Sequence, residues 1–176
     1  MSELRTNRIV PRDGLPSGSS GGIIQVRSTT FTENFSASIS GVTWTEVPGL
    51  TTTITPRRSD SKILISVTIG GIESSGLNQR MGMALRKNST NIAVNTTSGS
   101  QTQASWAGSG TNSNDIRNQA FFTHLDSPAT TSAVTYRVMI TTEGSYNMYI
   151  NRSGSNASAS SVFKTASSMT LMEISG

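Results

Sequence analysis

The sequence predicts an all-β domain, an antiparallel β-sandwich of jelly-roll type led by an extended N-terminal arm. Three observations carry this. Apolar residues recur at every second position in short runs, as along Val134, Tyr136, Val138 and Ile140, which is the period of a strand with one buried face. Gly, Ser, Asn and Pro interrupt those runs at regular intervals, as the turns of a sandwich or jelly roll do. No stretch of ten residues carries helical periodicity, and only 14% of the side chains are charged, so the residues that favour helix are scarce.

Residues 1–22 oppose regular structure. Pro11, Pro16, Asp13-Gly14 and the run Ser17-Gly18-Ser19-Ser20-Gly21-Gly22 are loop chemistry. Leu4, Ile9, Val10 and Leu15 are nevertheless apolar, and a solvated linker has no use for them. This segment is expected to be an attachment strap that orders on a partner, with Leu4, Arg5, Arg8, Ile9, Val10 and Leu15 as its contacts. Residues 23–176 form the head.

Within the head, Ile23-Ile24-Gln25-Val26 reads as the first strand. Phe31, Phe35, Ala37 and Ile39 share a face of the second, with Glu33 interrupting. Trp44 follows Val42 at strand spacing and is expected in the core. Leu50, Thr52 and Ile54 alternate until Pro56. Ile63 to Ile69 is the most apolar strand, expected to end at Gly70-Gly71. Met81, Met83 and Leu85 alternate, and Ile92 and Val94 follow a turn at Asn88-Ser89. Residues 95–114 form a long polar stretch without strand pattern. Strands resume over Ile116–Leu125, Val134–Ile140 and Tyr146–Ile150, then at Val162-Phe163 and Met169–Ile174. That makes nine or ten short strands.

Composition narrows the function classes. The net charge of +4 is scattered singly or in pairs, without the basic stripe and interleaved aromatics that a nucleic-acid site needs. There is no Cys, so disulfides and thiolate metal sites are excluded. No apolar run approaches the ~20 residues of a membrane span, and the first residues lack a signal-peptide core. Synthesis in a reducing cytoplasm, with any extracellular role reached by a route other than secretion, is the expectation.

Chemistry-bearing groups are sparse. His124 is the only histidine among 176 residues, and no nucleophile-elbow Gly-x-Ser-x-Gly accompanies it. Ten carboxylates are spread along the chain without a recognisable acid pair or a calcium-loop spacing. No catalytic residue, metal or cofactor is expected. Trp106 stands out because it lies in a polar loop. Its indole reads either as an anchor of that loop or as a stacking platform for a sugar. With Gln101, Gln103 and Asn112 it forms the candidate ligand contact. Tyr146, Met148, Tyr149 and Ile150 put bulk on both faces of one strand, so Tyr146, Met148 and Tyr149 are candidate subunit contacts.

Several segments carry a family resemblance. The arm Arg5-Thr6-Asn7-Arg8-Ile9-Val10-Pro11-Arg12-Asp13-Gly14 resembles the N-terminal motif of short virion and tail-fibre proteins of tailed phages, especially those of marine and freshwater cyanobacteria. Ile54-Thr55-Pro56 with Ser61-Lys62-Ile63-Leu64-Ile65 is similar to the C-terminal β-domain of those proteins. So are Leu125-Asp126-Ser127-Pro128 with Thr130-Thr131 and Thr135-Tyr136, and the terminal Thr170-Leu171-Met172-Glu173-Ile174. The resemblance implies a homotrimeric jelly roll of C1q- or TNF-like architecture. It implies a non-enzymatic fibre or surface appendage whose arm docks on other virion proteins and whose head faces host-surface glycans. Capsid decoration is the alternative.

Overall fold

Alternation at period two becomes real strands wherever one face is buried. The computed structural model describes residues 22–96, 99–110, 118–154, 158, 160 and 162–176, and among them every regular element is a strand. In chain order these are β1 (Ile23–Phe31), β2 (Phe35–Ile39), β3 (Thr45–Ile54), β4 (Lys62–Ser74), β5 (Arg80–Lys87), β6 (Thr90–Ile92), β7 (Trp106–Ser109), β8 (Asn118–Asp126), β9 (Val134–Thr142), β10 (Tyr146–Ile150) and β11 (Ser167–Ile174). The arm, with Leu4, Arg5, Arg8, Ile9, Val10 and Leu15, lies outside the described residues.

All pairings are antiparallel. Three of the rows consist of two collinear strands each. β10 and β11 pair successive halves of one edge of β4, and β2 and β1 continue outward from them. β7 and β6 likewise share one edge of β5. Counting rows in chain order, one sheet runs first–eighth–third–sixth and the other second–seventh–fourth–fifth. This is the double Greek key of a jelly roll, as expected. Between the sheets lie Ile63, Ile65, Val67, Ile69, Met83, Leu85, Tyr136, Val138, Ile140, Met148, Met169 and Leu171, among others.

The interrupted rows are closed by side chains. The row holding β10 and β11 leaves the sheet at Asn151, in the left-handed region at φ 62°, and returns at Ser167. Asn151 is fully buried. Its Nδ2 donates to the carbonyls of Phe31 and Glu33 at 2.9 and 3.1 Å, bridging the gap between β1 and β2. Its Oδ1 accepts from Ser167 Oγ at 2.6 Å, which in turn accepts from Gly70 N. Its N–H donates to Gly71 O. The row holding β6 and β7 repeats the device. The chain departs at Ala93, φ 55°, and Ser105 Oγ accepts from Leu85 N and donates to Ile92 O.

Gly70-Gly71 therefore does not end β4, which runs on to Ser74. The glycines admit the returning chain instead. A Cβ on Gly70 would lie 2.9 Å from Thr165 Cβ and closer still to the Ala166 carbonyl. Other expectations also need correction. The polar stretch contains β7, whose regularity comes from pairing with β5 rather than from its own alternation. Val162 and Phe163 belong to no strand. Trp44 precedes β3 and is half-buried rather than core, because β3 enters the sheet only at Thr45.

One end of the sandwich is closed by two buried carboxylates flanking Ile63, Asp126 on β8 and Glu173 on β11. Asp126 accepts from Tyr136 OH at 2.7 Å and from Lys87 Nζ at 2.9 Å. Burial, reinforced by that carboxylate, pushes the Tyr136 phenol far above its ordinary range. Burial alone would raise Glu173. Hydrogen bonds from Gln25 Nε2 and the Arg57 N–H outweigh it and hold the carboxyl below its usual range. The segments Thr55-Pro56, Lys62-Ile63, Asp126, Tyr136 and Glu173, which carried the family resemblance, thus meet at one place.

Two outcomes follow. Asn151→Gly keeps the left-handed backbone available but removes three side-chain hydrogen bonds, and should lower stability by about 3 kcal/mol in urea denaturation. Because the folded Glu173 carboxyl sits below its ordinary value of 4.5, the unfolded chain takes up that proton first. Its contribution is therefore fully present above that value and is lost as pH falls through the lower folded one. Unfolding midpoints between pH 6 and 3 should fall less steeply in Glu173→Gln than in the native chain.

Candidate functional site

The outward face of the sheet formed by β8, β4, β11 and β1 is the surface that an ordinary antiparallel sandwich would cover with charge. Here it carries almost none. Parity assigns its members. Ile63, Ile65 and Val67 point into the core, so Leu64, Ser66 and Thr68 point out. Met169 and Leu171 are core, so Ser168, Thr170 and Met172 point out. On β8 the outward set is Gln119, Phe121, Thr123 and Leu125.

Register lines these residues up. Leu125 pairs with Leu64, Leu64 with Met172, and Met172 with Val26. An apolar band thus crosses all four rows. Val26 is 51% exposed and Leu125 47%, although both are aliphatic. The next tier, Thr123, Ser66, Thr170 and Ser28, is entirely hydroxyl, with Ser28 Oγ and Thr170 Oγ1 3.0 Å apart. The tier beyond holds Phe121, 80% exposed, beside Thr68, Ser168 and Thr30. Lys62 stands at the margin, opposite Ile174. Large exposed apolar side chains clustered in this way mark an interaction surface rather than a solvated one. The sequence signal was present in Ile63-Leu64-Ile65 and Leu171-Met172, where both parities are apolar, but pairing was needed to bring them into one band.

The expected subunit contacts lie on β10. Met148 is fully buried in the core of its own subunit, so it has no surface to offer. Its strand pairs β4 on one side and β2 on the other, which accounts for its apolar side without a second chain. Tyr146 is half-buried, its ring lying against Gly76 and Gly144. Tyr149 is half-buried beneath the Arg152 guanidinium, 4.8 Å from the ring centroid.

The proposed host-contact residues separate. Trp106 opposes Met83 across β5 and β7, and so shares its inward direction. The indole packs at the edge of the core and occupies the space that a Gly108 side chain would need. That contact is made within its own chain. Gln101 is exposed and lines a cleft on the outer face of the other sheet. Gln103 is exposed but does not line it. Asn112 lies outside the described residues. His124, opposite Ile65 on β8, is half-buried.

No family model matches the sequence, and no curated protein does. Among solved structures, the chain is similar to one in the structure of infectious bursal disease virus, strain Gx, with a TM-score of 0.37 and 12% identity. That match covers 97% of this chain and 46% of the other, so this chain spans less than half the length of its neighbour. The assignment of the fold rests on the strand order above and not on this likeness.

Proposed function

We propose that the chain is a non-enzymatic structural subunit of a tailed-phage virion, a homotrimeric tail-fibre head or short surface appendage. The observation that carries the oligomer is the uncharged band Val26, Met172, Leu64 and Leu125, in register across four strands with its end members about half exposed. An uncharged face of this kind suits burial against copies of itself, because no charge has to be desolvated. Closed packing of three copies would cover the band and leave the second sheet facing outward. The resemblance of the arm and of the end-closing segments to phage fibre and virion proteins supports the virion assignment. In this reading Leu4, Arg5, Arg8, Ile9, Val10 and Leu15 dock the arm on another virion protein.

Light scattering of the native chain should give three times the chain mass at micromolar concentration, and a monomer would contradict the proposal. Val26 and Leu125 are half exposed, so the double variant Val26→Lys/Leu125→Lys should fold with little loss of stability and behave as a monomer. Deletion of residues 1–22 should leave a folded head that no longer joins the particle. Electron microscopy of labelled virions should place the head at the tail, and label spread over the shell would replace the appendage by capsid decoration.

A further inference from the structure

The outer face of the sheet formed by β3, β9, β5 and β6 sets two arginines side by side. On β9 the core takes Val134, Tyr136, Val138 and Ile140, so Arg137 points out. On β5 it takes Met81, Met83 and Leu85, so Arg86 points out as well. The register places the two directly opposite each other. Like charges at opposed positions of an antiparallel pair are destabilising, and both side chains are half-buried. The neighbouring outward tier is Ala84 opposite Met139, both buried, so water screens the two cations less than it would on an open face.

Counter-charge is short at this place. The charged residues of β3, β9, β5 and β6 are Glu46, Arg137, Arg80, Arg86 and Lys87. Lys87 turns the other way, to Asp126. Arg80, at the far end of β5, is matched by Glu143 at 2.9 Å. Glu46 serves Arg137, with its Oε2 3.4 Å from Nε, and its Oε1 accepts from Thr51 Oγ1. Among the described residues Arg86 bonds no carboxylate. Its Nε donates to Asn91 Oδ1 at 2.8 Å, while Arg137 Nη1 donates to Asn88 O at 2.8 Å. Asn88 and Asn91 both belong to the hairpin of β5 and β6, so the two guanidiniums are held at one hairpin. Both terminal nitrogens of Arg86 and Nη2 of Arg137 are left without an acceptor among the described residues.

We infer that Arg86 and Arg137 form a binding site for a phosphate group. Guanidinium N–H groups match the spacing of phosphate oxygens, and the bonds are charge-assisted. A dianion between the free nitrogens would turn the repulsion of the two cations into shared attraction. The bonds to Asn91, Asn88 and Glu46 fix both side chains beforehand, so binding gives up little rotamer freedom. Arg137 keeps 29% of its side chain exposed, so the site is reached from solvent, by a free phosphate ion or by a phosphate monoester carried on a larger molecule. The site is complete within one subunit and lies on the other sheet from the apolar band, so it does not rest on the assembly proposed above.

Isothermal titration calorimetry on the full chain tests this, with inorganic phosphate and glycerol 3-phosphate as probes at an ionic strength held constant with sodium chloride. Phosphate should bind once per chain and raise the melting temperature above that in chloride alone. Arg86→Gln strands no carboxylate and relieves the cation pair. It should therefore fold, melt no lower than the native chain in phosphate-free buffer, and weaken phosphate binding by about 10-fold. Arg86→Lys keeps the charge without the paired N–H groups and should fall between the two. Arg80→Gln, at the far end of the strand, should leave binding unchanged. Binding of both probes assigns the site to a phosphate group on a larger molecule, and binding of inorganic phosphate alone assigns it to the free ion. Either result supports the inference. Failure of the native chain to bind either probe, or binding that Arg86→Gln leaves unchanged, would overturn it.

Discussion

Asn151 holds the sandwich in register. In the sheet of β8, β4, β11 and β1 the pairing of the two central rows and the edge row is interrupted at the same level, at Gly70-Gly71, between Asn151 and Ser167, and at residues 32–34. Backbone pairing cannot continue through such a level, and unpaired buried amides and carbonyls would cost far more than one side chain contributes. Asn151 supplies both donors and an acceptor there, with Ser167 as its relay to Gly70. Asn also tolerates the left-handed backbone that the departing chain requires. Ser105 performs the corresponding closure in the second sheet. Two excursions are thereby inserted into a jelly roll without disturbing the strand order on either side.

The outer faces of the two sheets differ. The face bearing Val26, Met172, Leu64 and Leu125 carries an uncharged apolar band in register across four rows. The opposite face is partly roofed. Ala84 and Met139 pair with each other at positions outward from the core, yet both are buried, whereas the neighbouring Gly82 lines the cleft. Small residues at Gly82, Ala104 and Ala107 keep it open, and the paired Arg80 and Glu143 keep it electrically neutral.

Much of the fold was legible in the sequence because burial on one face imposes strict alternation. Val134 to Ile140 and Ile63 to Ile69 could hardly be read otherwise. What escaped was set by partners distant in sequence. Gly70-Gly71 looks like a terminator until Thr165 and Ala166 are placed against it. β7 has too little alternation to be seen without β5, and Trp44 kept strand spacing while remaining outside the sheet. The candidate sites were less legible still. Met148 was read as a subunit contact because its strand is apolar on both parities, when the core accounts for it. The band across four rows could not be assembled from sequence spacing, since register decides which of several outward residues become neighbours. The opposition of Arg86 and Arg137 escaped for the same reason.

Burial of the uncharged face in the assembled protein is the claim on which the functional reading turns, and hydroxyl-radical footprinting of the unmodified chain measures it most directly. Phe121 and Met172 are both readily oxidised side chains, and Phe121 is 80% exposed in the isolated subunit. The account predicts that both react several times more slowly in the native assembly than in its dissociated form, while Val42 and Leu77, exposed away from the band, react equally in the two. Equal oxidation of Phe121 and Met172 in both states would contradict it.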